Sequence, residues 1–149
     1  YVGRATARLN KGDRAGALID YEQAIKLAPR NAQIYYNRGE CRRLNGDDEG
    51  AVGDFERAIE LDASLPEAYY GRGLVRLARR ALESAISDFT KVLSLNDKFA
   101  RAYSKRGLAY LLQGRQSEAE KDFSRAFDLN PELRSEVEAN IKLFKPQAH

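Results

Sequence analysis

Apolar and small positions recur along this chain with helical spacing. Tyr35, Arg38, Gly39 and Arg42 fall at i, i+3, i+4 and i+7 and so share one face of a helix. Ala51, Phe55, Ala58 and Ile59 line one stripe of a second helix. Between the two stripes, Asn45-Gly46-Asp47 supplies turn and capping chemistry, which predicts a helix hairpin. Neither helix can bury its stripe alone.

The hairpin repeats every 34 residues. Tyr-x-x-Arg-Gly occurs at Tyr35, Tyr69 and Tyr103, and one further period back lies Tyr1-Val2-Gly3-Arg4-Ala5, with alanine for the glycine and a first helix already under way. A second block, Ala-x-x-Asp-aromatic, recurs in the same register at Ala17, Ala51, Ala85 and Ala119. Each aromatic is followed three residues later by a small residue (Ala24, Ala58, Val92, Ala126), and then by a leucine (Leu27, Leu61, Leu95, Leu129). Units of this kind must stack, with the small residues letting neighbouring helices approach closely.

These residues resemble the tetratricopeptide repeat, whose pattern is an aromatic, Leu-Gly, an aromatic, Ala-x-x-x-Phe and Pro over about 34 residues. The resemblance implies an all-α fold, a right-handed superhelix of antiparallel helix hairpins. Its copies would span 1–31 (first helix truncated), 32–65, 66–99 and 100–133, with 134–149 a capping helix and tail in which Glu136, Val137, Ile141, Leu143 and Phe144 mark the helix. Tyrosine replaces the pattern's tryptophan throughout, and arginine replaces the leucine before the glycine. Proline is present at Pro29 and Pro131 but gives way to Ala63 and Asp97 in the other two copies. Arg80 stands where Gly12, Gly46 and Gly114 occupy the inter-helix turn. A side chain there costs on the order of 1 kcal/mol if φ must be positive, so the third hairpin is expected to turn differently.

Composition narrows the class. The 149 residues are 43% hydrophobic and 32% charged with a mean hydropathy of −0.60, which suits a folded array rather than a disordered chain. No apolar run approaches the roughly 18 residues of a membrane span, so membrane insertion is not expected. The net charge of +3 does not name an acidic partner. Cys41 is the only cysteine and His149 the only histidine, so disulfides and most histidine-based catalytic or metal sites are excluded. One unpaired cysteine is compatible with the cytoplasm, which is weakly preferred, and also with a bacterial periplasm. With no methionine and a truncated first copy, the chain is expected to be a piece of a longer protein.

The arginines are the most suggestive candidates for chemistry. Arg4, Arg38, Arg72 and Arg106 recur, with Arg8, Arg42 and Arg76 one turn later, as a cationic stripe suited to phosphates or an acidic peptide. Each copy also carries an aspartate (Asp20, Asp54, Asp88, Asp122) at a constant 16 residues from the first arginine, and structural Arg-Asp pairing is the preferred reading. Nucleic-acid binding is disfavoured, because Glu40, Asp47, Asp48 and Glu49 interrupt the basic clusters Arg42-Arg43, Arg79-Arg80 and Arg101/Lys105/Arg106.

Binding of a protein or peptide segment is what the resemblance implies, since the first helices of such arrays line a concave groove. Mapped onto this sequence, that wall is Tyr36, Asn37, Glu40, Tyr70, Leu74, Leu77, Arg101, Ser104, Lys105, Leu108 and Leu111, with Arg101 and Lys105 placed to hold a carboxylate. The carboxylate clamp of chaperone-binding members is disfavoured: Asn37 and the Arg101/Lys105 pair match it only two repeats apart, and Glu67 and Gly71 stand where it needs other residues.

No catalytic residue, cofactor site or metal site is expected. Asp47-Asp48 reads as helix capping, Gly71-x-Gly73 lies inside a helix rather than after a strand, and Cys41 reads as a buried inert thiol. The expected function is therefore a non-catalytic interaction scaffold. The alternatives are a structural or self-associating module of a larger protein, and the substrate-recruiting repeats of an enzyme whose catalytic domain lies elsewhere.

Overall fold

A computed structural model describes residues 1–144; the tail beyond, with His149, lies outside them. Among the described residues every regular element is an α-helix: α1 Val2–Asn10, α2 Arg14–Leu27, α3 Ala32–Leu44, α4 Asp48–Leu61, α5 Pro66–Ala78, α6 Leu82–Leu95, α7 Ala100–Leu112, α8 Gln116–Leu129 and α9 Leu133–Phe144. The chain is an all-α helical-repeat solenoid. It divides into two units, Tyr1–Val75 and Arg76–His149, and α5 contributes to both.

In unit 1 the hairpins α1/α2 and α3/α4 bury small and aromatic residues. Ala5, Ala17, Tyr21, Ala24, Ile34 and Cys41 form one cluster, with Val2, Leu9 and Leu18 packed against it. Ala51, Phe55 and Val75 form another, with Tyr36 and Val52 at its edge. Phe55 explains two glycines, Gly39 of the recurring motif and Gly71, which stands two residues before the motif glycine of the next copy. A Cβ added at Gly39 would come within 2.8 Å of its ring, and one added at Gly71 within 2.6 Å, so both helices lie against this ring only because glycine carries no side chain. In unit 2, Gly107 has the same relation to Phe123.

Every other residue of the motif also has a structural task. The guanidinium of Arg38 lies 5.8 Å from the Tyr35 ring, and Arg72/Tyr69 and Arg106/Tyr103 repeat the arrangement one helical turn apart. The Tyr35 and Tyr69 hydroxyls donate to the carbonyls of Pro29 and Ala63, tying each first helix to the preceding connection. Arg4, Arg38 and Arg106 donate through Nε and Nη2 to both oxygens of Asp20, Asp54 and Asp122 at 2.6–2.9 Å. The aspartates are buried.

The second arginine joins the same carboxylate. Arg8 reaches Asp20 at 3.1 Å, Arg42 reaches Asp54 at 3.0 Å and Arg76 reaches Asp88 at 2.8 Å. In the fourth copy Tyr110 takes that place, with Arg106 and Arg115 over its ring at 5.7 and 4.6 Å. Hydrogen bonding to Arg4 holds the Asp20 carboxyl below its ordinary value, and the reciprocal bond raises Arg4.

Helix ends follow from local chemistry. Asp13 and Asp47 cap α2 and α4 by accepting the Gly16 and Gly50 N–H groups at 2.9 and 3.0 Å. Gly12, Gly46 and Gly114 close the hairpin turns at φ +83°, +81° and +79°. The expectation that the third hairpin turns differently is overturned: Arg80 adopts φ +63° in the same role. The turn bonds Arg80 N–H to Leu77 O and Ala81 N–H to Arg76 O repeat those of Gly46 and Asp47, so hairpin geometry prevails over the side chain's preference. Cys41 is buried, its thiol 3.7 Å from the Arg14 carbonyl, and burial pushes its pKa up.

Candidate functional site

With the recurring residues engaged in packing and pairing, the remaining faces of the first helices are the candidate surface. The wall positions differ from copy to copy: Gln33, Glu67 and Arg101 are equivalent, as are Tyr36, Tyr70 and Ser104; Asn37, Gly71 and Lys105; Glu40, Leu74 and Leu108; and Arg43, Leu77 and Leu111.

In unit 1 the wall residues Tyr36, Asn37, Glu40, Tyr70 and Leu74 are all half-buried. The Tyr36 ring sits 6.0 Å from Phe55, tilted at 39°. Burial, aided by the carboxylates of Glu40 and Glu67, pushes the Tyr36 phenol up to about 12, so it is a neutral hydroxyl at physiological pH. Asn37 accepts a hydrogen bond from the Gln33 amide at 3.2 Å. Glu40 is held by Arg43 through two bonds of 3.0 and 3.1 Å along the same helix. Sequence reasoning placed Arg43 in a basic cluster and missed it as a wall residue. The i, i+3 spacing to Glu40 was the signal that could have found it.

In unit 2 the wall is sorted by depth. Leu77, Ser104 and Leu108 correct the sequence expectation: only 4%, 4% and 2% exposed, they support the surface from beneath and offer no contact area. Ser104 donates its hydroxyl to the Arg101 carbonyl at 2.9 Å, the local bond that satisfies a buried helix serine. Leu111 is half-buried, and Arg101 is the most open member. Arg101 and Lys105 do meet a carboxylate, that of Glu136 on α9: Arg101 Nη1 lies 3.1 Å and Lys105 Nζ 3.4 Å from its oxygens. Glu136 had no periodic signal, because α9 lies beyond the last copy of the motif.

Arg42, Arg43, Arg101, Lys105 and Arg106 of the basic clusters are held in ion pairs, whereas Arg80 lies over the Phe144 ring. Besides the pairs already described, Arg57 bonds Glu60 at 2.9 Å and Arg115 pairs with Glu118. Among the described residues no group of three His, Cys, Asp or Glu is arranged to hold a metal, and no helix is long and apolar enough to cross a membrane. An open depression of about 750 Å³ in unit 1, lined by Pro29, Leu61 and Leu65 among others, is formed by the connections between hairpins and touches the wall only at Gln33.

Comparison with known proteins agrees with this organisation. Family profiles described as Tetratricopeptide repeat match residues 2–66 and 51–98, and a second of the same description matches 100–133. No curated protein matches the chain. The crystal structure of MamA protein is similar at 26% identity and a TM-score of 0.78, covering 99% of this chain and 76% of that one. The Arabidopsis OM64 TPR domain has 25% identity and a TM-score of 0.69, covering 75% of this chain and 92% of its own. YrrB, described as a TPR protein with an unusual peptide-binding site, has 21% identity and a TM-score of 0.78 over 95% of this chain and 72% of its own, a likeness of fold alone. Arg, Asp, Tyr and Gly of the recurring motif hold the hairpins together, and the profiles cover most of the chain: it belongs to the tetratricopeptide repeat family, whose members are generally protein-interaction scaffolds.

Proposed function

We propose that the chain is a non-catalytic scaffold that binds a peptide or protein segment on the first-helix walls of its repeats, with the repeats framed as 1–31, 32–65, 66–99 and 100–133 and a cap at 134–149. The observation that carries this reading is the division of labour inside each copy. Motif residues are constant and engaged internally, whereas the wall positions change from Tyr36, Asn37, Glu40 and Arg43 to Arg101, Lys105 and Leu111. Variation confined to one face of a constant frame is how a stacked array acquires a specific surface. Tyr36 and Tyr70 suit this role, since a half-buried phenol contributes apolar area and a hydrogen-bonding tip with little side-chain entropy to lose. The peptide-binding site named for YrrB lends the reading support by likeness of fold.

Nucleic acid is not the proposed partner. Arg42, Arg43, Arg101 and Arg106 each hold a carboxylate, so the basic clusters do not present a continuous cationic stripe for phosphates.

The test is selection from a displayed peptide library by the wild-type chain and by Tyr36→Ala/Tyr70→Ala. The wild type is expected to enrich a defined set that the variant loses. Enrichment of the same set by both removes the walls from the binding function.

A further inference from the structure

The clasp formed by Glu136 carries an inference beyond a generic docking wall, and it rests on the reading of the unit 2 first helix as such a wall. Arg101 and Lys105 lie one turn apart on α7, where two cations can grip a single carboxylate. The carboxylate they hold belongs to a helix whose own attachment is uneven. Leu133 and Val137 are buried at the start of α9, with the Arg134 guanidinium 4.4 Å from the Phe127 ring. Toward its end, Phe144 is half-buried with Arg80 4.4 Å from its ring, and Leu143 is 79% exposed. Glu136 sits on the turn between the two buried anchors. α9 thus shows what this wall accepts: an amphipathic helix with apolar residues at i and i+4 and a carboxylate at i+3 between them.

We propose that α9 is an internal occupant of the unit 2 wall, and that the external partner is an amphipathic helix presenting an Asp or Glu side chain to Arg101 and Lys105 in place of Glu136. The clasp is suited to exchange. Arg101 is about half exposed and Glu136 about a third, and an ion pair this open to solvent is a weak tie, while Lys105 sits deeper at 16% exposed. A competitor's apparent affinity is reduced by the fraction of the wall that α9 occupies, so weakening the internal contact must strengthen external binding by the same factor.

The experiment uses the full chain and a fluorescein-labelled peptide of residues 131–144, together with the peptide's Glu136→Gln counterpart. Fluorescence anisotropy is read for wild type, for Glu136→Gln and for Arg101→Gln/Lys105→Gln. The Glu136→Gln chain is expected to bind the acidic peptide roughly two- to fivefold more tightly than wild type. Both of these chains should prefer the acidic peptide to its glutamine counterpart by a similar factor. The Arg101→Gln/Lys105→Gln chain should bind the two peptides alike. Equal affinity of wild type and Glu136→Gln, a preference for the acidic peptide that survives loss of both cations, or no binding by any chain at millimolar peptide would each overturn the proposal. Such a result together with loss of the selected peptides by Tyr36→Ala/Tyr70→Ala would remove the clasp and leave the general docking function standing.

Discussion

The two units are built from one repeated motif yet secure it with different local parts. In unit 1 the second helices begin with aspartate caps, the turns are closed by glycine, and Asp20 and Asp54 each gather two arginines. In unit 2 the corresponding caps are Ala81 and Arg115, without a side-chain cap bond, one turn is closed by Arg80, and Tyr110 stands where a second arginine would approach Asp122. The backbone barely registers these changes: the cap residues have φ/ψ of −81°/73° and −85°/77° in unit 1 against −81°/70° and −89°/68° in unit 2. The hairpin therefore keeps its shape when cap and turn chemistry change, and what the units share is packing of the second-helix aromatic against a small residue of the first helix, Gly39 or Gly107, or Ala5 in the first copy. The walls differ in another way. Glu40 is closed by Arg43 on its own helix, whereas Arg101 and Lys105 are closed by a carboxylate from a separate helix.

The largest expected effect tests the aspartate as the common hub. Asp54→Ala leaves Arg38 and Arg42 without their shared buried carboxylate, and equilibrium urea unfolding should show a loss of about 3–5 kcal/mol. Asp122→Ala should cost less, because among the described residues Arg106 alone bonds that carboxylate and also has Thr90 within 3.2 Å. Equal losses would break the contrast between the units. A double-mutant cycle on Arg38→Ala and Asp54→Ala should give strong coupling, and additive effects would sink the pairing.

Next comes the close approach of glycine to the aromatic ring. Gly39→Ala or Gly71→Ala forces a methyl group into the Phe55 ring and should cost about 1–3 kcal/mol, in spite of alanine's better helix propensity. Gly53→Ala in α4, with nothing within 4 Å, should instead stabilise by up to about 1 kcal/mol. A similar response at all three positions would show that the ring does not set the spacing.

The caps follow. Asp13→Ala or Asp47→Ala should lose about 1 kcal/mol. Ala81→Asp should gain less than that, since Ser84 carries a Cβ where Gly16 and Gly50 leave room for the capping carboxylate. Arg80→Gly removes a positive-φ side chain worth about 1 kcal/mol of strain and also removes its contact with Phe144, so a small net gain is expected by thermal unfolding.

The acid response is the smallest effect under ordinary conditions, and its sign follows from the Asp20–Arg4 bond. Because Asp20 is held below 3.8, its ordinary value, the unfolded chain takes up the proton first as pH falls. Its contribution is therefore fully present above that pH and is lost as pH drops through the lowered folded value. Asp20→Asn should flatten this part of a stability titration.

Much of this was legible because it was periodic. The hairpins and the Arg-Asp pairs followed from spacings repeated in register, and the capping role of Asp47 from its place at a helix start. The sharing of Asp20 and Asp54 by a second arginine was not, since Arg8 and Arg42 read equally well as an open stripe until their carboxylates were located. Depth was also hidden: Leu77 and Leu111 hold the same register position in successive first helices and Leu108 lies one turn before Leu111, but only neighbouring helices determine that Leu77 and Leu108 are covered and Leu111 is half open. Arg80 misled because local preference was weighed without the turn bonds that impose φ. Glu136 was legible as part of the capping helix but not as the partner of Arg101 and Lys105, because it closes the wall from outside the period.

The central claim is that the constant motif builds the array while the variable first-helix wall binds. Isothermal titration of a peptide selected by the wild-type chain, repeated on Tyr36→Ala/Tyr70→Ala, tests it most directly. The account predicts at least about a tenfold rise in Kd, the loss expected when two central aromatic contacts are truncated. An unchanged Kd in the folded variant would contradict it.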